Sequence, residues 1–184
     1  MSDQAVRRIL QRAFDEYYDG LQKATAGLTP HERRFRVSEN ANHIDFLVWH
    51  MARNEDGTVS TCARVEELWS EARRFERWEL PKDADGCGAS LEDVVRFPAI
   101  DAVELTEYFF DVRRRTQSFL DRLTEADLDL PLSPHAPEVS IAQVLSHLLV
   151  EQSPHLGQVA FIRGLQRGVE FTTSWNNPDT PAPD

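Results

Sequence analysis

A carboxylate and an imidazole lie four residues apart in the stretch VEQSPHLGQVAFIRG, residues 150–164. The apolar spacing around them is that of a helix, and residues four apart share one helix face. Glu151 and His155 are therefore predicted to point to the side that carries Leu148 and Ile162. Burial of a carboxylate without a partner is costly, so a cation is expected close to it.

The partner of this carboxylate is either a basic side chain or a divalent metal. The core-facing positions of the other predicted helices offer no lysine or arginine, which favours a metal. A further donor is His50, in the apolar segment FLVWHMAR of a second helix. His50, Glu151 and His155 form a two-histidine, one-carboxylate set, which leaves positions on a metal open for water or substrate. The sequence thus predicts a divalent metal site, with zinc or nickel as the expected metal.

Each of these residues also has a purely structural interpretation. His50 can be a hydrogen-bonded core histidine, and Glu151 can simply form an ion pair with His155. His147 is a weak candidate for a fourth ligand or a base beside the metal, and an ordinary interface role fits it better. His43, two turns before His50, is expected to be a solvated residue at the start of its helix.

Pro154 lies between the two predicted ligands of the last helix. A proline inside a helix removes an amide donor and bends the axis, at a cost of about 3 kcal/mol. Such a bend would aim Glu151 and His155 at a shared point and leave the carbonyl of Val150 free. Simple tolerance of the proline is an equally good interpretation, and both stay open.

Four long segments with helical periodicity must position these residues: 3–26, 41–62, 101–123 and 140–166. The second is apolar almost all round, which is typical of a helix buried on most faces. Ser140 and Gln143 predict a capping box at the start of the fourth. No segment between the helices reads as a strand. The expected fold is all-α, an up-and-down four-helix bundle with a long insertion between its second and third helices, at about 57–99.

The composition is that of one globular domain. The chain has 184 residues, of which 41% are hydrophobic and 28% are charged. A single domain is expected over 1–170, followed by a flexible C-terminal tail at 171–184. No apolar run approaches the roughly 20 residues of a membrane helix, and the N-terminal residues lack the pattern of a secretion signal. We therefore expect a cytoplasmic protein without a membrane partner.

Charge and cysteine content narrow the function classes further. The net charge is −11 and no basic stripe stands out, which argues against a nucleic-acid partner. The two cysteines, Cys62 and Cys87, lack the spacing of a paired metal-binding motif and are expected to be reduced thiols. A small-molecule substrate is the remaining expectation.

The segments NHIDFLVWHMARNED and SHLLVEQSPHLGQVAFIRGLQRG together resemble the DinB/YfiT-like superfamily. Members of this superfamily are four-helix bundles that hold a divalent metal with one histidine from the second helix and a pair of residues from the fourth. The resemblance covers most of the chain and puts His50 and His155 at ligand positions. The commoner pattern has histidine where this chain has Glu151. Glutamate there is similar to the branch that contains mycothiol-dependent maleylpyruvate isomerase, whose metal set is His, Glu, His.

The resemblance implies a metal-dependent enzyme that activates a low-molecular-weight thiol, mycothiol or bacillithiol, for transfer or isomerisation. The catalytic residues beyond the ligands are not identified by the sequence, apart from the weak candidate His147. One alternative is a metal-dependent hydrolase, which needs a general base that the sequence does not supply clearly. The other is a non-catalytic, stress-related metal-binding bundle, although structural sites usually have four protein ligands. A homodimer is expected from the resemblance alone.

Overall fold

Helices dominate the computed structural model, which describes residues 3–133 and 136–168. In chain order, that part of the protein forms the following elements: α1 (Asp3–Thr25), α2 (Pro30–Arg33), α3 (Ile44–Ala63), α4 (Leu68–Glu71), α5 (Arg74–Arg77), α6 (Leu91–Arg96), α7 (Ala102–Leu120), α8 (Glu125–Leu128), β1 (Pro131–Ser133), β2 (Ala136–Ser140) and α9 (Ile141–Arg167). The four long helices α1, α3, α7 and α9 match the four predicted segments to within a few residues. The predicted helical class is confirmed in outline. No helix within these residues is both long enough and apolar enough to cross a membrane.

The helix α3 lies at the centre of the core, where it packs against α7 and α9, while α1 packs against α9 and α7. Its sequence explains this position, because the successive residues Phe46, Leu47 and Val48 point about 100° apart around the helix and all are buried. Apolar side chains from the neighbouring helices, such as Leu105 and Leu148, complete the core. The helix that carries His50 is therefore held on most of its surface.

A small antiparallel sheet joins α8 to α9, where the sequence analysis predicted no strand. β1 pairs with β2, and Pro131 lies opposite Ser140 in the register. The prolines of this segment favoured an irregular link. A two-stranded sheet has only edge strands, however, and proline is tolerated at the first residue of such a strand. The expectation of no strand was therefore wrong for this short hairpin.

The connection between α3 and α7 runs from 64 to 101, since α3 continues past Gly57 to Ala63. Arg64 ends α3 in the left-handed conformation, with φ 58°. Three short helices, α4 to α6, lie within this insertion. The predicted tail at 171–184 lies outside the described residues.

The predicted capping box of α9 is confirmed, and its removal gives a testable stability change. The Gln143 amide donates to the Ser140 hydroxyl at 3.3 Å, and Gln143 Oε1 accepts from the Ser140 amide at 2.8 Å. We expect Ser140→Ala to lower the free energy of unfolding by about 1 kcal/mol, because an amide donor at the helix end loses its partner. Urea denaturation measures this. Ser146→Ala, at an exposed site inside the same helix, is the control and should change stability little.

Candidate functional site

His50 and His155 lie next to each other where α3 packs against α9. Their ring centroids are 4.8 Å apart and the ring planes are nearly perpendicular, at 87°. His50 is buried and His155 is half-buried. The packing of these two helices therefore brings together two of the three predicted metal ligands.

The Nδ1 atom of His50 lies 2.6 Å from the carbonyl oxygen of Asp85. Because a carbonyl oxygen only accepts hydrogen bonds, Nδ1 carries a proton and donates it, which leaves Nε2 as the ring nitrogen that can bind a metal. Histidines that bind metals commonly donate their other ring nitrogen to such a partner. The hydrogen-bonded histidine foreseen as a structural alternative is thus present, but its second nitrogen is available as a ligand.

The surroundings of the His155 imidazole favour its neutral form. Burial lowers its pKa, and the neighbouring His50 lowers it further, against the opposing effects of Gln158 and Glu151. Its Nδ1 atom is buried and has no hydrogen-bond partner within residues 3–133 and 136–168. A neutral ring with an unsatisfied nitrogen has the protonation state that metal coordination requires.

The carboxylate of Glu151 is less buried than the sequence analysis predicted. Its side chain is 43% exposed, and Oε1 lies 3.9 Å from Nε2 of His147, whose side chain is 73% exposed. Among the residues that the structure describes, no three His, Cys, Asp or Glu side chains are close enough to hold a metal ion. The three-residue metal site therefore stays a prediction, and the position of Glu151 is its open point.

Gln152 is the polar residue that α9 buries completely. Its Nε2 donates to the carbonyl oxygen of Met51 at 3.1 Å, which ties α9 to α3 one residue after His50. Successive helix residues differ by about 100° in direction. α9 carries apolar residues on more than one side, for example at Leu148 and Leu149. The apolar periodicity therefore predicted a buried face that is rotated by one residue, and Gln152 is buried in place of Glu151.

Core-facing positions do carry basic residues, so the prediction that they lack them was wrong. Arg53, one turn after His50, is buried, and so are Arg33 and Arg113. The guanidinium of Arg53 donates to Glu67 Oε2 at 2.7 Å and to the carbonyl oxygen of Ala84 at 3.0 Å. Arginine can lie in a core because its stem is apolar and its charged end finds acceptors there.

Asp56 anchors the start of the insertion to α3. This fully buried carboxylate accepts hydrogen bonds from the amides of Leu68 and Trp69, at 3.0 and 2.8 Å, and from the Tyr108 hydroxyl at 2.9 Å. Burial and the charge of Asp56 raise the pKa of Tyr108 well above its usual value, so the hydroxyl stays protonated and donates. Asp56 and Arg53 are functional candidates that the sequence analysis missed.

The middle of the insertion reaches His50 through a series of backbone carbonyl contacts. The Trp69 indole donates to Lys82 O at 2.8 Å, Arg53 donates to Ala84 O, and His50 donates to Asp85 O. The guanidinium of Arg53 also lies over the Trp69 ring, 4.8 Å from its centroid. The buried groups that follow His50 on α3 therefore position the carbonyl that orients His50.

The loop after Asp85 approaches His50 so closely that only glycine fits there. A Cβ atom on Gly86 would lie 2.7 Å from His50 Nδ1, and its φ of +89° also favours glycine. We expect Gly86→Ala to displace this loop and to change the imidazole NMR signals of His50. Gly88→Ala is the matched control, since Gly88 has φ +66° but no atom within 4 Å of a Cβ. Equal signals in both variants would contradict this role for Gly86.

Both cysteines are free, with Cys62 buried and Cys87 exposed. Cys87 belongs to the loop that covers His50. Partial burial raises the pKa of its thiol, and the negative charges of Asp85 and Glu151 raise it further. The neutral thiol is therefore favoured at Cys87, which makes it a poor nucleophile.

The solvated position expected for His43 was wrong. His43 is buried, and its Nδ1 accepts a hydrogen bond from the Phe46 amide at 3.1 Å, which caps α3. Burial lowers its pKa to about 4, so the cap works through a neutral ring at ordinary pH. A histidine used as a helix cap resembles a solvated terminal histidine in sequence, because both come directly before the apolar helix.

Comparisons with known proteins identify the family and the fold of this chain. A family model described as mycothiol-S-transferase matches residues 9–168. A solved structure, described as the conserved protein of locus from Enterococcus faecalis, superimposes with a TM-score of 0.72 at 22% identity, covering 90% of this chain and 97% of that one. At that identity the likeness shows the fold alone. No curated protein matches. The family model covers most of the chain and confirms the resemblance to the DinB/YfiT-like superfamily, and the chain belongs to the mycothiol-S-transferase family.

Proposed function

We propose that this protein transfers the sulfur of mycothiol to an electrophilic small molecule, with a divalent cation held by His50, Glu151 and His155. The observation that carries the proposal is the pair of adjacent imidazoles, 4.8 Å apart, in a chain of this family. The alternative of a simple Glu151–His155 ion pair does not account for the second imidazole. The finer assignment to zinc or nickel belongs to the same proposal.

The three side chains fit a divalent cation in different degrees. His50 presents Nε2, since its Nδ1 proton is held by Asp85 O. His155 has an unsatisfied nitrogen on a neutral ring. Glu151 is half-exposed, so burial does not restrain its side chain, and its carboxylate would complete the set. When bound, such a cation would keep a coordinated thiol in the thiolate form at neutral pH.

The chain's own groups have separate parts in this reaction. The Asp85 carbonyl keeps the proton on His50 Nδ1, and the Arg53 contact with Ala84 O holds that carbonyl in place. His147 is the candidate for taking up the thiol proton, because it is exposed and lies beside Glu151. We treat the four long helices as one up-and-down bundle that fixes these positions. Two free cysteines suit a reducing compartment, and we place the reaction in the cytoplasm.

A thiol-transfer assay tests the proposal directly. Zinc- or nickel-loaded protein is incubated with mycothiol and a benzylic halide, and the S-conjugate is measured by mass spectrometry, with bacillithiol and glutathione in parallel. We expect conjugation with mycothiol well above the uncatalysed rate, and a fall to that rate in His50→Ala. His31→Ala, at an exposed histidine of α2, should keep full activity. Absence of both conjugation and thiol binding with all three thiols would contradict the proposal.

A further inference from the structure

We propose that a cavity of about 530 Å³ beside the His50 loop binds the electrophilic substrate, and that this substrate is an uncharged aromatic molecule. The inference rests on the proposed thiol transfer and names the class of its second substrate. The cavity lies between α3, the loop at 79–89 and the end of α6. Its volume is in the range of small-molecule sites.

The inner wall of the cavity is aromatic. Phe46, Trp49 and Phe97 line it, and their ring centroids lie 5.1 to 5.6 Å from one another. All three side chains are held in the core, so this wall is already formed without a ligand. Aromatic rings interact favourably with one another in stacked or edge-to-face arrangements. A planar aromatic group is therefore the ligand that this wall suits best.

The opposite wall is the loop that holds His50. Asp85, Gly86 and Cys87 all line the cavity. Asp85 supplies the carbonyl that binds His50 Nδ1, Gly86 contacts the same ring, and the Cys87 thiol is within electrostatic reach of Glu151. A molecule in the cavity would therefore be separated from the predicted metal ligands by this one loop. The electrophilic carbon of the substrate would therefore have to extend beyond this loop to reach the bound thiol.

The charges around the cavity select against anions. Four carboxylates line it, those of Glu79, Asp83, Asp85 and Asp93. The lining cation is Arg96, whose guanidinium already pairs with Glu92 at 2.7 Å. With a net charge of −11, the whole chain adds to this field. An aromatic acid would be repelled, whereas a neutral aromatic molecule would not.

The transfer on such a substrate balances without a further reactant. With chloromethylnaphthalene, the thiol sulfur forms a bond to the benzylic carbon while the carbon–chlorine bond breaks. Chloride leaves with the bonding electron pair, and the thiol proton passes to His147 and from there to water. No oxidant or reductant is consumed.

Binding to the full-length protein tests the cavity without relying on turnover. Calorimetry compares naphthylmethanol with naphthoate, which have the same ring system and differ in charge. We expect the neutral probe to bind at least about tenfold more tightly, and Ala89→Phe, which fills the cavity, to weaken it by about tenfold. Ala89→Leu should give a smaller loss in the same direction. Ala63→Phe, which lines a different cavity, should bind like the wild type.

Two outcomes would overturn the inference: equal binding of the two probes, or unchanged binding of the neutral probe in Ala89→Phe. Kinetics then separates this inference from thiol transfer itself. Ala89→Phe should raise KM for chloromethylnaphthalene and leave the conjugation of iodomethane unchanged, since that molecule is too small to need the cavity. If the wild type fails with iodomethane as well, the thiol-transfer proposal is wrong, while the calorimetry still decides what the cavity binds.

Discussion

Replacement of Asp56 by alanine is expected to lower the free energy of unfolding by about 3–5 kcal/mol, because it breaks a buried charged network. The carboxylate accepts four hydrogen bonds, from the amides of Leu68 and Trp69 and from the hydroxyls of Ser60 and Tyr108. Alanine would leave these donors without a partner in the core. It would also remove a negative charge that lies 3.8 Å from the buried guanidinium of Arg53.

Urea denaturation of the wild type and Asp56→Ala measures this loss. Asp19→Ala, at an exposed position of α1, controls for the loss of one negative charge and should cost little. Asp56→Asn should lie between the two, since an amide keeps one acceptor oxygen but turns a donor toward other donors. A cost below about 1 kcal/mol for Asp56→Ala would contradict the network's role.

Titration of Glu55 is expected to lower the free energy of unfolding by about 3 kcal/mol as pH rises from about 5 to 8. The lowered pKa of His43 acts in the opposite direction, because there the unfolded state binds the extra proton. Burial raises the pKa of the Glu55 carboxyl from 4.5 to about 7, with Thr116 and Arg113 opposing the rise. The folded state therefore binds a proton that the unfolded state has lost in this range. Folding is favoured while that proton is bound, so this contribution decreases as pH rises above 4.5 and levels off above about 7.

Glu55→Gln is the variant that isolates this effect. Thr116 Oγ1 donates to Glu55 Oε1 at 2.5 Å, and glutamine keeps that acceptor but cannot ionise. Urea denaturation at several pH values should show the free energy of unfolding of the wild type falling by about 3 kcal/mol relative to that of Glu55→Gln between about pH 5 and 8, since both proteins keep the His43 contribution. Glu16→Gln, at an exposed site, should keep the wild-type slope. The same slope in Glu55→Gln and the wild type would show that this carboxyl is not responsible.

The elements that position the site were predictable because their signals are local. Apolar periodicity defined the four long helices, and the Ser140 cap defined the start of α9. His50 stood out as a polar residue in an apolar helix, and it does lie beside His155. The predictions of the helices and of the cap depend on residues within a turn or two of one another, which is the range over which helix geometry is regular.

The network around His50 was not predictable, because its partners are distant in sequence. Arg53 reaches Glu67 and Ala84, and Asp56 reaches Tyr108, so burial of these charges follows only from the path of the insertion. The Asp85 contact with His50 uses a backbone carbonyl oxygen. Every residue type has this group, so the residue at position 85 gives no sign of the contact. Glycine at 86 was the one local sign of that close approach.

The metal content of the purified protein tests the central claim, that His50, Glu151 and His155 hold one divalent cation. Elemental analysis after dialysis against zinc or nickel should give about one equivalent for the wild type and for His31→Ala, and far less for Glu151→Ala. Glu151→Ala is the most informative variant, because the half-exposed Glu151 side chain is the predicted ligand that the structure supports least. Full metal content in Glu151→Ala, or none in the wild type, would contradict the claim.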